Sequence, residues 1–151
     1  MGKMTSTGIT LGVVASTPAT NDAAGFGALT FVDVGEVIDL PEYGPNVQVV
    51  ESQPLATGVT QKLNGFINYG SLAIGLELDT EDDGQQVLEA GVPVPPAQFT
   101  PHSFEITYPD GTVEYFTGGI FSYTRNPGSA NSMVGSTVQV EINSAIVRVL
   151  P

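Results

Sequence analysis

The chain has 151 residues, the size of one folding unit with room for a proper core. It is 41% apolar, too much for a disordered chain even at a net charge of −12. Sixteen acids face four bases (Lys3, Lys62, Arg125 and Arg148), so a surface that holds nucleic-acid phosphates or an anionic membrane is excluded.

The N-terminal stretch from Met1 to Thr17 is apolar only in broken pieces and does not read as a signal peptide, which makes cytosolic synthesis the expectation. Ile9 to Ala15 and Leu29 to Leu40 read as strands, the second with a slip in its alternation near Val32 that suggests a bulge. Leu40 to Gly58 lacks a regular pattern. It holds Pro41, Gly44, Pro45, Pro54 and Gly58 around Val47-Gln48-Val49-Val50, which predicts a long protruding hairpin or loop over about 40–58.

Val59 to Tyr69 reads as a strand with Val59, Leu63, Ile67 and Tyr69 on one face. Tyr69-Gly70-Ser71 then turns the chain into Leu72 to Leu78, where every even position is a large aliphatic. One helix is expected over about 80–90. Thr80 is its N-cap, acids fill its first turn, and Gly91 follows its last turn. Pro93, Pro95 and Pro96 prevent it from continuing.

Ser103–Tyr108 and Thr112–Thr117 flank Pro109-Asp110-Gly111 and predict a hairpin, because Pro presets φ and Asp-Gly accepts positive φ. Gly118-Gly119 is expected to break the second strand before Ile120–Tyr123. Val134–Ile142 and Ala145–Val149 complete the strands. The fold class is therefore mainly β, a sandwich or partial barrel with one short flanking helix, and residues 1–151 read as a single domain with no linker.

Little in the sequence points to chemistry. Without Cys there is no thiolate nucleophile, disulfide or thiolate zinc site, and with His102 as the one histidine a catalytic triad would rest on it alone. His102 reads as an exposed or edge residue at a strand start. Asp79, Glu81, Asp83 and Gly84 resemble the start of a calcium loop, but Ala90 stands where a bidentate Glu is needed. Gly25-Phe26-Gly27 lacks the third glycine and the long helix of a dinucleotide site. The aromatics Phe104, Tyr108, Tyr115, Phe116, Phe121 and Tyr123 read as core and cross-strand pairs rather than a sugar-stacking platform. No cofactor is expected. An enzyme would have carboxylate chemistry as its main option, and an assembly or binding module fits better.

Thr17-Pro18-Ala19-Thr20, Ala24-Gly25-Phe26, Leu29-Thr30-Phe31 and Val34-Gly35-Glu36-Val37 resemble, in order and spacing, the start of major tail tube proteins of long-tailed non-contractile bacteriophages. Glu42-Tyr43-Gly44, Tyr69-Gly70-Ser71, Gly84-Gln85 before Leu88, and Ser136–Ile142 with Ile146-Val147 continue the resemblance over nearly the whole chain. Subunits of gene-transfer particles and tail-like bacteriocins are similar, and these residues fit all of them.

The resemblance implies a structural virion protein, made in the cytoplasm of the host bacterium. It would form hexameric rings stacked into a tail tube around a tape-measure protein, bounded by tail-end proteins. Double-stranded DNA would pass through on ejection without specific binding, and no membrane is involved. The resemblance further implies that the loop carrying Pro41, Tyr43, Val47, Val49, Val50, Pro54 and Leu55 reaches the neighbouring ring. Glu77, Glu105, Glu114 and Glu141 are candidates for acids lining the bore. The alternative is a carbohydrate- or surface-binding β-sandwich, such as a decoration or adhesion domain.

Overall fold

A computed structural model describes residues 2–95 and 97–151, so the helix-stopping role expected of Pro96 lies outside the described residues. Ten strands and two short helices follow one another in it. They are β1 (Thr10–Val14), α1 (Ala23–Gly27), β2 (Val32–Val34), β3 (Val37–Asp39), β4 (Asn46–Ser52), β5 (Gln61–Asn68), β6 (Ser71–Glu77), α2 (Asp83–Ala90), β7 (His102–Thr107), β8 (Val113–Asn126), β9 (Gly135–Ile142) and β10 (Val147–Val149).

Seven strands form one antiparallel path in the order β2-β1-β7-β8-β9-β6-β3, with β10 beside β8. The two ends of that path, β2 and β3, are consecutive pieces of chain separated only by Gly35 and Glu36. The sheet therefore curls until its ends meet at residues 32–39, which form a seam. Glu36 turns the chain there with φ of 59°, a conformation uncommon for a residue with a side chain. The expected continuous strand over 29–40 is thus two short strands, and its irregularity is this turn at 35–36 rather than a bulge near Val32.

Alternation sends Leu72, Ile74 and Leu76 of β6, Val138, Val140 and Ile142 of β9, and Phe104 and Ile106 of β7 into one core. Leu11, Val13, Val34, Phe116 and Ile120 join them. Phe104 and Phe116 stack there with ring centroids 5.2 Å apart. Leu88 of α2 also enters this core, so the helix packs its apolar side against the inner face of the curled sheet. Burying each such side chain contributes about 1.5–3 kcal/mol.

The N-cap of α2 is Asp82 rather than Thr80, its carboxylate accepting the Gln85 N–H at 2.9 Å and the Gly35 N–H at 3.0 Å. A shorter helix wins because the same carboxylate then satisfies both the helix and the seam. Gly91 ends the helix as expected. Gly118-Gly119 does not break its strand: β8 runs on to Asn126, changing register between Ile120 and Ser122. Gly118 is needed because a Cβ there would strike the backbone of β9.

The short helix α1 lies on the other face of the sheet, where Phe26 is buried against Tyr115 with centroids 5.2 Å apart. Asp22 caps α1, accepting the Gly25 N–H at 2.7 Å. His102 is buried at 2% exposure rather than exposed or peripheral, with Nδ1 2.7 Å from the Thr100 carbonyl oxygen.

Candidate assembly surfaces

The irregular segment after Leu40 contains a strand. β4 pairs with β5 as a separate two-stranded sheet, so Val47, Val49 and Val50 stand on a strand of a hairpin, with Pro54 and Leu55 at its tip. Every residue of β4 is exposed, and in β5 only Gly65 is partly covered. Val47 is opposite Ile67, and Val50 is opposite Leu63. Val47 and Val50 are three positions apart on an alternating strand, so the two pairs lie on opposite faces. The register shift between Val47 and Val49 thereby separates Leu63 from Ile67, which simple alternation places together.

Both faces of this arm are thus apolar and uncovered. Phe66 is 88% exposed, Leu55 is wholly exposed, and Val49, Val59 and Leu63 are each about 60% exposed. A two-stranded hairpin has marginal stability in water by itself. One with apolar side chains on both faces gains from partners on both sides.

Pro41 and Tyr43, at the root of the arm, are not part of the hairpin. Tyr43 packs on Phe116 with centroids 5.8 Å apart, and its hydroxyl is 2.7 Å from that of Tyr108. Burial first, then the Tyr108 hydrogen bond, pushes the Tyr43 phenol far above its ordinary value. With Pro45, Glu114, Ile146 and Arg148 these residues line an open groove of about 670 Å³.

The seam leaves other strand edges free among the described residues. β3 accompanies β6 only at Gly75 and Leu76, so the edge of β6 from Ser71 to Ile74 has no strand beside it. The Ile142 N–H donates to the Gly70 carbonyl and the Glu77 N–H donates to the Glu36 carbonyl. In an antiparallel ladder that register turns the backbone groups of Ser71 and Ala73 toward the free side. Similarly, β7 stops opposite Gly118, so β8 from Gly119 onward has no strand on that side.

Three of the four candidate acids share one face. Glu105 is opposite Tyr115, Glu141 is opposite Gly119 and Ser71, and Glu77 is opposite Gly135, all on the side of the sheet away from the core. Glu114 points the other way, opposite Ile106 and Arg148 and close to Tyr43 and Tyr108. Glu105 is half-buried, and burial raises its carboxyl above the ordinary glutamate value; Asp33 adds to the rise, and a hydrogen bond with Tyr115 opposes it.

Asp79 accepts the Glu81 N–H at 3.0 Å, so it belongs to a turn before α2. Among the described residues no three His, Asp or Glu side chains are grouped to hold a metal ion. Among the described residues no helix is long and apolar enough to cross a membrane.

No family model and no curated protein sequence matches the chain. Solved structures do. A chain of the six-fold symmetrised baseplate of the anti-feeding prophage superposes with a TM-score of 0.72 at 9% identity, covering 99% of this chain and 97% of that one. A chain from the tail of an empty gene transfer agent particle, refined with helical C6 symmetry, gives 0.56 at 15% identity over 80% of this chain and 87% of that one. A chain from the virion of a native gene transfer agent particle gives 0.55 at 19% identity over 79% and 88%. At these identities the likeness establishes the fold: the chain has the mainly β architecture found in subunits of tail and baseplate assemblies.

Proposed function

We propose that this protein is a non-enzymatic structural subunit of a phage tail or tail-like particle, acting as one tail-tube-like unit that forms six-membered rings which stack into a tube. The observation that carries the reading is the β4–β5 arm, a hairpin whose two faces are both apolar and both bare. A monomer gains nothing from such an arm, whereas a neighbour above and a neighbour beside can each cover one face. The fold shared with chains from six-fold and C6 assemblies supports the same reading.

In the ring, the free edges of β6 and of the second half of β8 complete their ladders with adjacent copies, which removes exposed edges from the wall. The arm, with Val47, Val49, Val50, Pro54 and Leu55, reaches the next ring, and Pro41 and Tyr43 support its base. The outward face of β6 and β9, bearing Glu77 and Glu141, lines the bore, and Glu105 stands back from it, half-buried beside Phe31 and next to the Tyr115 that α1 covers. A carboxylate-lined wall repels a polyanion and so lets DNA move through without holding it. The tape-measure protein would occupy that bore during assembly, and tail-end proteins would close the tube of the virion.

The charge sets the condition for testing this. Copies carrying −12 each repel one another, and salt screens that repulsion. Concentrated protein examined by electron microscopy across a salt series should give rings or tubes of uniform bore, more abundant at high salt. Strictly monomeric protein at every salt and protein concentration, measured by sedimentation, would overturn the reading.

A further inference from the structure

At the seam, β2 covers the outer edge of β1 through three register positions, Leu11–Val34, Gly12–Asp33 and Val13–Val32. On its other side β1 pairs with β7, which places Gly12 between Asp33 and Glu105. Paired residues point to the same face of a sheet, so both carboxylates stand on the face away from the core. Gly12 has no side chain to separate them. Glu105 leans over it, its Oε1 lying 3.7 Å from the position that a Gly12 Cβ would take, and the Cβ of Phe31 closes the space at 3.1 Å from that same position.

We propose that Glu105 and Asp33, on either side of Gly12, form a pH-sensitive latch on the seam, in which ionisation of Glu105 loosens β2 from β1. The titratable groups facing Glu105 are Asp33 from β2 and Tyr115 from β8; β1 contributes only Gly12 at this point. The single ion pair among the described residues, Arg125 with Glu89, lies elsewhere, so no cation within ion-pair distance offsets the two carboxylates. Burial favours the protonated form of Glu105. The folded state therefore holds that proton more tightly than the unfolded chain, and the stabilisation is lost as pH rises through the folded-state value. The strain falls on β2, which is three residues long and the weakest partner of β1. When β2 opens, the edge of β1 is exposed for pairing.

Hydrogen exchange of the Val32–Val34 amides in the full-length protein tests the latch. At about pH 7.5, Glu105→Gln should slow exchange about two- to fivefold, the range for one half-exposed charge interaction, and the difference should vanish near pH 4. Asp33→Asn removes the other carboxylate and should also slow exchange at the higher pH, which keeps the test open if the first variant folds poorly. Wild-type or faster exchange in both variants at the higher pH, or a ratio that does not change with pH, would overturn the proposal. The measurement is made on the soluble subunit and does not depend on tube formation.

Discussion

The side-chain amide of Gln85 donates to the Gly35 carbonyl oxygen at 3.0 Å, across 50 residues of chain. The same nitrogen donates to the Glu77 carbonyl at 2.9 Å, and Oε1 accepts the Asp79 N–H at 3.0 Å. One side chain, 2% exposed, thus ties α2 to the seam and to the end of β6. Gln85→Leu keeps much of the volume but removes these three bonds, together with a longer one of 3.5 Å from the Tyr123 hydroxyl to Oε1. At about 1 kcal/mol for each, with partly buried partners left unpaired, the loss should be about 2–4 kcal/mol in urea unfolding. A change within about 0.5 kcal/mol would show that water replaces these bonds freely.

Gly84 sets helix propensity against packing. Alanine in place of glycine favours an isolated helix by about 1 kcal/mol. Here a Cβ would lie 2.6 Å from the Val34 Cα and still closer to the Asp33 carbonyl oxygen, both backbone atoms that move only if β2 moves. Overpacking of this kind costs about 1–3 kcal/mol, so Gly84→Ala should be destabilising on balance. A higher melting temperature in the variant would show that α2 rides away from the seam without cost.

Most of the main sheet was legible in the sequence because one face of each strand is buried and period-two alternation reports that burial. Leu72–Leu78 and Val134–Ile142 are clear cases. The arm was less legible for the same reason. Neither of its faces packs on the rest of the chain, so Val47, Val49 and Val50 carry no alternation, and the prolines and glycines around them fit a protruding hairpin and a loop equally well. The seam was hidden because its closure depends on Asp82 and Gln85, which are distant in sequence from Gly35. His102 reads as peripheral from sequence because the close approach of its ring to Gly91, at the end of α2, is a tertiary contact that no local pattern reveals. α1 has five residues, too few for a helical period, although Asp22 three residues before Gly25 is a capping signal visible in retrospect.

Asp22 and Glu105 should give opposite pH signatures. The Gly25 N–H, then the Thr20 hydroxyl, hold the Asp22 carboxyl below its ordinary value. Its contribution is therefore fully present above the unfolded aspartate range near pH 4 and lost as pH falls through the lower folded value. Exchange of the Gly25 amide and the ring shifts of Phe26 should report α1 loosening on acidification. Asp22→Asn retains an N-cap acceptor without the titrating charge, and should flatten that acid limb while leaving the Glu105 behaviour above it intact. An unchanged acid limb in this variant would assign the loosening to another carboxyl.

If the arm is the stacking contact proposed above, changes in it should separate folding from assembly. Phe66 is 88% exposed in the free subunit, so it adds almost nothing to the monomer, whereas its burial by a neighbour would contribute about 1.5–3 kcal/mol per copy. Phe66→Ser should leave the unfolding midpoint of the subunit within about 0.5 kcal/mol of wild type, since it removes no internal contact of consequence. The same change repeated at every junction should abolish or sharply reduce tubes seen by electron microscopy and shift sedimentation toward single subunits. Shortening the tip between Gln53 and Thr60 should act in the same direction. Undiminished tube yield from both variants would remove the arm from the stacking contact, and a large fall in monomer stability would mean that the arm serves the subunit's own fold instead.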